Sequence, residues 1–546
     1  MKLLFKNYSF SYVGISFFLA LYFVVIVNLP VYSALNEIFS RLDGVKIGFV
    51  ISIPIFFLAT FNFLFNLISW PWITKPFFAI LILLSAAVSY AGFNYGTLFD
   101  SDMVTNIIET DSSEASSYLS LYSVLWITGM GIIPALVLLA TPIKKAKSVV
   151  SLISKKLISM VLSLVVIGTV AMMYYQDYAS VGRNNSHLNQ LIIPTHLVYS
   201  IAKYVNRTYL EAPIIYKEIG LDATQTPEAL ATAQNKPTLM VFVLGETARS
   251  QNYELNGYAR PTNQYTKELD IISFQDVRSC GTSTAVSVPC MFSSLTKDNY
   301  KRQVADNQDN VLDILKRAGI DLFWIENDGG DKDVAKNINK FEINRNRIDG
   351  MCNGNTCFDM AMLENFEQHS ENMDGNRMLL MHLIGSHGPT YFQRYPKEMA
   401  VFQPDCPRAD IENCSVEQIV NSYDNTILYT DFFMAQTIEK LKNLEGKYNT
   451  ALFYISDHGE SLGENGLFLH GMPYALAPIT QTQVPMMVWM SQGFKQGKSI
   501  DTDCIKKHAQ EKSYSQDHVF HSMLGIMDVK TEAYDSNLDL FQSCRH

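Results

Sequence analysis

Five long stretches without any Asp, Glu, Lys or Arg in the first third of the chain are the feature that most constrains how this chain can fold. They cover residues 7–36, 47–74, 76–99, 115–143 and 157–176. Each is at least as long as the about 20 helical residues needed to cross the hydrocarbon core of a bilayer. The pattern therefore predicts five transmembrane helices in the first third of the chain.

Charged side chains are distributed unevenly along the 546 residues. Of the 43 basic and 53 acidic side chains, residues 1–178 contain only 10 and 8. The first part therefore has the composition of a membrane domain, and the second part that of a soluble one. We predict a transmembrane domain over 1–178, a bridging helix and linker over 179–236, and an α/β domain over 237–546.

The basic residues near the predicted spans indicate the orientation, because Lys and Arg at span ends stay on the cytoplasmic side. Lysines precede span 1, separate spans 2 and 3, and fill the loop between spans 4 and 5. They are Lys2, Lys6, Lys75, Lys144, Lys145, Lys147, Lys155 and Lys156. The loop between spans 3 and 4 is acidic instead. Since the number of spans is odd, everything after Asp177 is predicted to be exported.

All eight cysteines lie in the predicted exported part. An even number of cysteines in an oxidising compartment indicates disulfides. The spacings predict three short-range pairs and leave two cysteines for a fourth. The pairs are Cys280–Cys290, Cys352–Cys357, Cys406–Cys414 and Cys504–Cys544. A zinc–thiolate site is the alternative, but the sequence contains no C-x-x-C pair that would favour it.

Beyond residue 237, short apolar runs rich in β-branched and aromatic residues alternate with helical patterns. The runs are Thr238–Leu244, Asp321–Ile325, Met378–Ile384, Ala451–Ile455 and Pro485–Met490. Helical patterns such as Val311–Ala318 and Ile419–Lys442 lie between them. This alternation predicts an α/β domain built around a mostly parallel sheet.

Polar side chains follow the ends of these predicted strands. Glu246, Asn327 and His387 each come after one strand, and Asp457 with His458 follows another. Because the carboxyl ends of parallel strands open onto one crevice, we expect these side chains to meet there. Nitrogen and oxygen ligands of this kind suit Zn²⁺. A single Asp–His pair is more often a hydrogen-bonded turn, so the prediction of a metal site depends on the whole set.

A run of hydroxyl side chains between two cysteines offers a nucleophile. Residues 279–290 read Ser-Cys-Gly-Thr-Ser-Thr-Ala-Val-Ser-Val-Pro-Cys, with neighbouring hydroxyls at Thr282, Ser283 and Thr284. A hydroxyl is a poor nucleophile unless a base or a metal lowers its pKa. Composition alone favours the alternative, a cluster of helix-capping hydroxyls closed by a disulfide.

Five sequence segments together identify a family. They are residues 243–249 (Val-Leu-Gly-Glu-Thr-Ala-Arg), 280–292, 386–391 (Ser-His-Gly-Pro-Thr-Tyr), 456–464 (Ser-Asp-His-Gly-Glu-Ser-Leu-Gly-Glu) and 469–471 (Leu-His-Gly). The chain resembles the phosphoethanolamine transferases of Gram-negative inner membranes that modify lipid A, which include the mobile colistin-resistance enzymes. The resemblance implies a five-helix transmembrane domain followed by a periplasmic catalytic domain related to alkaline phosphatases and sulfatases.

The resemblance also implies which residues bind metal and carry the reaction. Four positions match the zinc ligands of the family: Glu246, Thr284, Asp457 and His458. Thr284 would be the nucleophile. His387 and His470 would bind the substrate phosphate, assist proton transfer or hold a second zinc.

Further positions match substrate contacts of the family. Asn327 and Lys332 would contact the phosphoethanolamine, and Asn106, Thr110 and Glu114 would bind the donor lipid. The chain departs from many members around Lys332, where Asp331 and Ala335 stand in place of cysteines. One family disulfide is therefore expected to be absent.

The implied reaction is transfer of phosphoethanolamine from phosphatidylethanolamine to a phosphate of lipid A, through a covalent phosphoethanolamine-threonine intermediate. The added ammonium group would lower the negative charge of the outer membrane and give resistance to cationic peptides such as polymyxin. The alternative acceptor is a sugar of the lipopolysaccharide core or another glycan. A non-catalytic receptor with a degenerate domain would have lost one of the four metal or nucleophile residues, and all four are present. The net charge of -10 argues against a nucleic-acid partner.

Overall fold

The computed structural model describes residues 9–40, 44–212 and 214–545. Lys2 and Lys6, which the orientation argument used, lie outside these residues. The chain forms two compact units. The first is made of the chain up to Val104 together with Ser120–Tyr209, and the second of Thr105–Leu119 together with everything from Leu210 onward.

The first unit contains apolar helices long enough to cross a membrane. Among the described residues, four qualify as continuous helices, and a fifth span results if one bent pair of helices is counted as one. The four are Ile47–Ile68, Thr74–Asn94, Leu121–Ala140 and Val149–Gly182, and the bent pair joins Tyr12–Val27 to Leu29–Ser40 at 53°. A shorter helix, Thr195–Val205, follows them. The predicted N-terminal domain of apolar spans is confirmed, with four to five of them.

A seven-stranded sheet forms the centre of the second unit. Its strands are β1 (Thr238–Gly245), β2 (Ile272–Phe274), β3 (Asp321–Glu326), β4 (Asn339–Glu342), β5 (Arg377–His382), β6 (Asn449–Ser456) and β7 (Met486–Met490). Their order across the sheet is β2-β7-β6-β1-β5-β3-β4. Strand β7 is antiparallel to both of its neighbours, and all other pairings are parallel. The predicted α/β domain with a mostly parallel sheet is confirmed.

Helices and short strand pairs surround this sheet. The helices are Ser112–Ser117, Pro227–Asn235, Thr284–Phe292, Arg302–Asp306, Val311–Arg317, Phe366–Glu371, Val416–Asn443, Ile479–Thr482, Gln492–Gly497, Thr502–Glu511 and Asp517–Ile526, with Ser101–Glu109 reaching into this unit. Three pairs of short strands lie outside the main sheet. Two are antiparallel, namely Thr224–Gln225 with Val529–Lys530 and Ser461–Leu462 with Phe468–Leu469. The third, Asp276–Arg278 with Ser513–Ser515, is parallel. Val416–Asn443, the longest of these helices, begins with a capping box, in which Ser415 and Gln418 exchange side-chain to backbone hydrogen bonds.

Aromatic packing connects the sheet to the helix that begins at Thr284. Every residue of β1 and β6 is buried, as expected for central parallel strands covered on both faces. Phe242 of β1 stacks on Phe453 of β6 with ring centroids 5.4 Å apart. Phe242 also contacts the edge of Phe292, the last residue of the helix. The hydrophobic core therefore fixes this helix against the sheet.

All eight cysteines of the second unit are paired. The disulfides are Cys280–Cys290, Cys352–Cys357, Cys406–Cys414 and Cys504–Cys544. The three predicted short-range pairs are confirmed, and the two remaining cysteines form the fourth. The zinc–thiolate alternative is therefore wrong for these cysteines.

The disulfides should differ in how much they stabilise the second unit, because a longer loop loses more entropy when it is closed. Replacing Cys504 and Cys544, which are 40 residues apart, by alanine should lower the free energy of unfolding by about 4 kcal/mol. The same change at Cys352 and Cys357, only 5 residues apart, should cost about 2 kcal/mol. Proteolysis of the full chain in increasing urea measures both. Equal urea midpoints for the two variants would contradict the ranking.

Candidate active site

Two neighbouring strands deliver the central carboxylates. Glu246 follows β1 and Asp457 follows β6, and the strands pair in register with Gly245 opposite Ser456. The adjacent backbone holds Asp457 in place, because its Oδ1 accepts from the N–H of Thr247 at 3.0 Å. The parallel pairing thus brings together two side chains that are more than 200 residues apart.

Glu246, Asp457 and His458 form a compact, completely buried group. One ligand atom from each lies within 4.8 Å of the others. His458 Nε2 is 3.2 Å from Asp457 Oδ2 and 3.5 Å from Glu246 Oε1. Its other ring nitrogen, Nδ1, lies 2.9 Å from the carbonyl oxygen of Gly459. A proton on Nδ1 would be donated to that carbonyl, which leaves the lone pair of Nε2 directed at the two carboxylates.

The electrostatics of this group fit a bound divalent cation. Burial, together with the charge of Asp457, raises the pKa of Glu246 well above its usual range, and burial also raises the pKa of Asp457. Burial lowers the pKa of His458, which keeps the imidazole neutral. Among the described residues, Asp457 Oδ2 and His458 Nε2 have no hydrogen-bond partner. A cation would stabilise the ionised carboxylates and use both orphaned atoms, and this donor set suits Zn²⁺.

Thr284 lies next to this group. Its Oγ1 is 3.3 Å from Glu246 Oε2 and 3.4 Å from Oε1, at the first residue of the helix Thr284–Phe292. Thr282, the first hydroxyl of the run, donates to the carbonyl of Met472 instead. Ser283 is the residue at the N-cap of the helix. The fold therefore separates the three neighbouring hydroxyls and brings Thr284 to the carboxylates.

Two more histidines line the same crevice. The ring of His470 lies 4.4 Å from the ring of His458 and 5.6 Å from that of His387, measured between centroids. His470 Nδ1 is 3.1 Å from Glu460 Oε2, and His387 Nε2 is 3.2 Å from Glu114 Oε1. Each imidazole thus has a carboxylate partner that fixes its orientation. Their catalytic and second-zinc roles stay predictions.

Glu114 comes from a segment between two predicted spans, yet it belongs to the second unit. Ion pairs attach this segment: Asp111 to Arg345 at 2.8 Å and Glu109 to Arg302 at 3.2 Å. Burial alone would raise the pKa of Glu114, but His387 next to it and a more distant lysine lower the pKa to about 2. Glu114 is therefore an ionised carboxylate in the crevice.

The other predicted substrate residues are placed less directly. Thr110 Oγ1 donates to the carbonyl of Asn106 at 2.8 Å, a local contact within one helical turn. Asn327 Nδ2 donates to Asp359 Oδ1 at 2.8 Å, while its Oδ1 has no partner among the described residues. Burial alone would lower the pKa of Lys332, but Asp328 and other nearby carboxylates raise it. Substrate contacts of these residues stay predictions.

Several residues at the site were not predicted from the sequence. Glu460 accepts from Tyr391 at 3.1 Å and supports His470. Asp328 and His382 form a second ligand group with Glu246. His382 is the last residue of β5, but it lies inside the predicted run Met378–Ile384, so the rule that polar residues follow strands did not identify it.

A small cavity extends the crevice beyond His387. Its lining combines acidic and basic side chains, namely Glu114, Asp328, Arg345, His387 and Arg394. Arg394 is buried and donates to the carbonyl of His387 at 2.9 Å. Its volume of about 10 Å³ leaves room for about one water molecule, so it extends the crevice but does not hold a whole headgroup.

Comparisons with known proteins agree for both units. Residues 238–529 match a family model described as sulfatase, and residues 55–209 match one described as phosphoethanolamine transferase EptA/EptB. Phosphoethanolamine transferase EptA of Escherichia coli (strain K12) is 37% identical over 91% of this chain and 90% of its own length. The chain belongs to the phosphoethanolamine transferase family.

Two further members of the phosphoethanolamine transferase family are similar over most of their length. Phosphatidylethanolamine transferase Mcr-1 of Escherichia coli is 34% identical, over 86% of this chain and 88% of its own. The solved structure of the integral membrane protein lipooligosaccharide phosphoethanolamine transferase A (EptA) from Neisseria meningitidis superposes with a TM-score of 0.93. It is 35% identical and covers 98% of this chain and 99% of its own. The predicted family and fold class are confirmed.

Proposed function

We propose that this protein transfers phosphoethanolamine from phosphatidylethanolamine to a phosphate of lipid A, with Thr284 as the nucleophile. The observation that carries the proposal is the position of Thr284 Oγ1, 3.3 Å from Glu246 and beside the buried pair of Asp457 and His458. The names of two relatives support the proposed substrates, since one refers to phosphatidylethanolamine and the other to lipooligosaccharide. The apolar helices and the paired cysteines support a multi-pass inner-membrane protein whose catalytic domain lies in the periplasm.

Four residues would hold Zn²⁺ in this proposal: Glu246, Thr284, Asp457 and His458. When bound, the ion supplies positive charge that lowers the pKa of the threonine hydroxyl and stabilises the phosphoryl oxygens. The fit rests on the orphaned Asp457 Oδ2 and His458 Nε2 and on two carboxylates that could not both stay ionised in a buried place without a cation.

In the first step, Thr284 Oγ1 attacks the phosphorus of the donor lipid. A bond forms between this oxygen and phosphorus as the hydroxyl proton of Thr284 leaves to solvent, and the bond from phosphorus to the diacylglycerol oxygen breaks. His387 can hold the proton that the leaving oxygen takes up, because the charge of Glu114 raises the pKa of this buried imidazole against the effect of burial. Phosphoethanolamine is then covalently attached to Thr284.

In the second step, an oxygen of the acceptor phosphate attacks the same phosphorus. The bond from phosphorus to Thr284 breaks, and the threonine hydroxyl is regenerated by uptake of one proton. Both substrates are lipids, so a catalytic domain attached to membrane spans can reach them without releasing either into water. The product carries an added ammonium group, which lowers the negative charge of the membrane surface and should weaken binding of polymyxin.

The donor headgroup is zwitterionic, and the crevice offers complementary charges. The ionised Glu114 can contact the ammonium group, while Asn327 and Lys332 contact the phosphoethanolamine from the other side. Asn106 and Thr110 are proposed to grip the donor lipid further from the reacting phosphorus. The side chain of Asp328 adds a second carboxylate to the cavity.

Mass spectrometry of lipid A from cells with and without the protein tests the proposed function. We expect lipid A to gain the mass of phosphoethanolamine on a phosphate only when the protein is present. Modification of a core sugar with unmodified lipid A phosphates would establish the alternative acceptor. If neither lipid A nor the core gained phosphoethanolamine, the proposed function would be wrong.

Replacing Glu114 by glutamine should weaken use of the donor lipid without disturbing the proposed zinc ligands. The change keeps the size of the side chain but removes the charge, and a hydrogen bond to a charged group contributes about 1.5 to 3 kcal/mol. We therefore expect transfer from phosphatidylethanolamine vesicles to fall by about 10- to 100-fold. Glu364→Gln is a matched control, because this carboxylate forms an exposed ion pair with Arg347. Unchanged transfer in Glu114→Gln would mean that this carboxylate does not bind the donor.

A further inference from the structure

A second group of buried ligands adjoins the first. One ligand atom each from Glu246, Asp328 and His382 lies within 4.8 Å of the others, and all three side chains are buried. Strands β1 and β5 pair in parallel with Leu244 opposite His382, which places the end of β5 beside Glu246. Glu246 therefore belongs to both groups, whereas His382 and Asp328 belong only to the second.

The hydrogen bonds around His382 orient its ring. Its Nδ1 lies 3.0 Å from Glu326 Oε2. The same carboxylate accepts from Trp324 Nε1 at 2.9 Å and from the backbone N–H groups of Asp328 and Gly329 at 2.6 and 3.0 Å. Because Glu326 is held by donors alone, Nδ1 of His382 is the donor in their contact.

The remaining ring nitrogen of His382 can become a ligand when a metal ion takes the place of its proton. Burial lowers the pKa of this imidazole, but the charges of Glu326 and Asp328 raise it to about 9. Nε2 is buried, has no hydrogen-bond partner among the described residues, and lies 3.8 Å from Asp328 Oδ2. Metal-binding histidines commonly donate one ring N–H to a carboxylate, which orients the other ring nitrogen toward the metal ion. His382 has this arrangement, with Glu326 at Nδ1. The orphaned Nε2 thus faces a group of carboxylates rather than an apolar wall.

The number of buried carboxylates also favours more than one cation. Four lie in this part of the crevice: Glu246, Asp328, Glu326 and Asp457. Glu326 is already satisfied by its donors, and one divalent ion at the first site would offset Glu246 and Asp457. Asp328 is a further carboxylate beside Glu246, and a second ion would offset its charge together with nearby Lys332. Uncompensated carboxylates in a buried place are strongly unfavourable.

We propose that Glu246, Asp328 and His382 form a second metal site for a divalent transition-metal ion that prefers nitrogen and oxygen ligands, with Zn²⁺ as the probe. The site shares Glu246 with the proposed zinc site and is distinct from His387 and His470. Two neighbouring ions about 3.5 to 4 Å apart are a recurring arrangement in enzymes that act on phosphate esters. Its use in phosphoryl transfer rests on the proposed function, but metal binding does not.

Metal stoichiometry of the full chain in detergent tests the proposal. The protein is stripped with a chelator, equilibrated with Zn²⁺ and desalted, and the metal is then counted by inductively coupled plasma mass spectrometry. We expect two zinc ions per chain in the wild type and one in His382→Gln, which keeps a side-chain N–H for Glu326. Asp457→Asn should also retain one ion, now at the second site.

A second variant and a control guard against misfolding. Asp328→Asn leaves the contact between His382 and Glu326 intact and should also bind one ion. His521→Gln should still bind two, because this histidine accepts from the backbone N–H of Asp535 away from the crevice. Anomalous diffraction at the zinc edge should show one peak about 2.0 to 2.1 Å from His382 Nε2 in the wild type.

Other results separate this proposal from the proposed function. One zinc ion in the wild type, kept in His382→Gln and lost in Asp457→Asn, would overturn the second site and leave the first standing. A second ion found at His387 and His470, or two ions still bound by His382→Gln, would also overturn it. No bound zinc in the wild type would overturn both metal sites.

Discussion

Thr284→Ala is expected to abolish phosphoethanolamine transfer, with a fall in turnover of about 10³-fold or more. The reason is geometric as well as chemical. Of the three neighbouring hydroxyls at 282–284, that of Thr284 lies 3.3 Å from Glu246, whereas that of Thr282 donates to the carbonyl of Met472. A neighbouring hydroxyl cannot take over without moving the start of the helix. The disulfides of the variant should be those of the wild type, whereas its zinc affinity should fall because Thr284 is one of the four proposed ligands.

The covalent intermediate gives a direct measurement for this prediction. When acceptor is withheld, phosphatidylethanolamine should leave phosphoethanolamine on the tryptic peptide Ser279–Lys297, and fragmentation should locate it on Thr284. Thr284→Ser keeps a hydroxyl but loses the methyl group that restricts χ1, so it should retain part of the activity. Thr282→Ala is the matched control and should form the adduct. An adduct on Thr282 or Ser283 would contradict the assignment of the nucleophile.

The sequence was sufficient to predict the sheet because its strands have an unambiguous composition. Thr238–Gly245 and Asn449–Ser456 are mostly apolar and are buried along their whole length, which is typical of central parallel strands. Pattern alone places Glu246 and Asp457 at the carboxyl ends of two strands, and the parallel pairing of β1 with β6 in the structure then brings them together. The end of β5 was harder to locate, since Leu383 and Ile384 continue the apolar run after pairing ends at His382.

That uncertainty explains why His382 was not predicted. Read as an interior residue of the strand Met378–Ile384, a histidine looks like one polar position in an apolar run. Its significance depends on Glu326 at the end of the neighbouring strand β3, 56 residues earlier in the chain. Such a contact depends on strand order, and no local period in the sequence encodes strand order.

The placement of Glu114 also depends on contacts that no local pattern specifies. By composition, the segment 105–119 is a polar loop between two apolar spans. Its ion pairs from Asp111 to Arg345 and from Glu109 to Arg302 join residues 234 and 193 positions apart. Only the resemblance to a family suggested a role for Glu114, and its contact with His387 supplies a physical reason for that role.

Loss of the proposed metal should have an effect as large as loss of the nucleophile. Asp457→Asn removes one anionic ligand, but an amide oxygen can still accept from the N–H groups of Thr247 and His458 as Oδ1 does now. The fold should therefore survive while zinc affinity falls by more than about 100-fold, beyond the loss typical of residues that only support a ligand. Transfer by this variant should fall in parallel at limiting zinc and recover in part at high zinc.

Removal of zinc from the wild type should produce the same loss without any mutation. The ligands bind metal only with Glu246 and Asp457 ionised and His458 neutral, so protons compete with the ion and its affinity falls as the pH is lowered. Zinc content and transfer, measured together between pH 8 and pH 5 after dialysis against a chelator, should decline together and be restored by added Zn²⁺. Asp431→Asn is the control for a carboxyl that also titrates in this pH range, because burial raises the pKa of Asp431 to about 6. Asp431 lies on the helix Val416–Asn443 and is not a proposed ligand, so the variant should lose zinc over the same pH range as the wild type. Full transfer by the zinc-free protein would remove the metal from the mechanism.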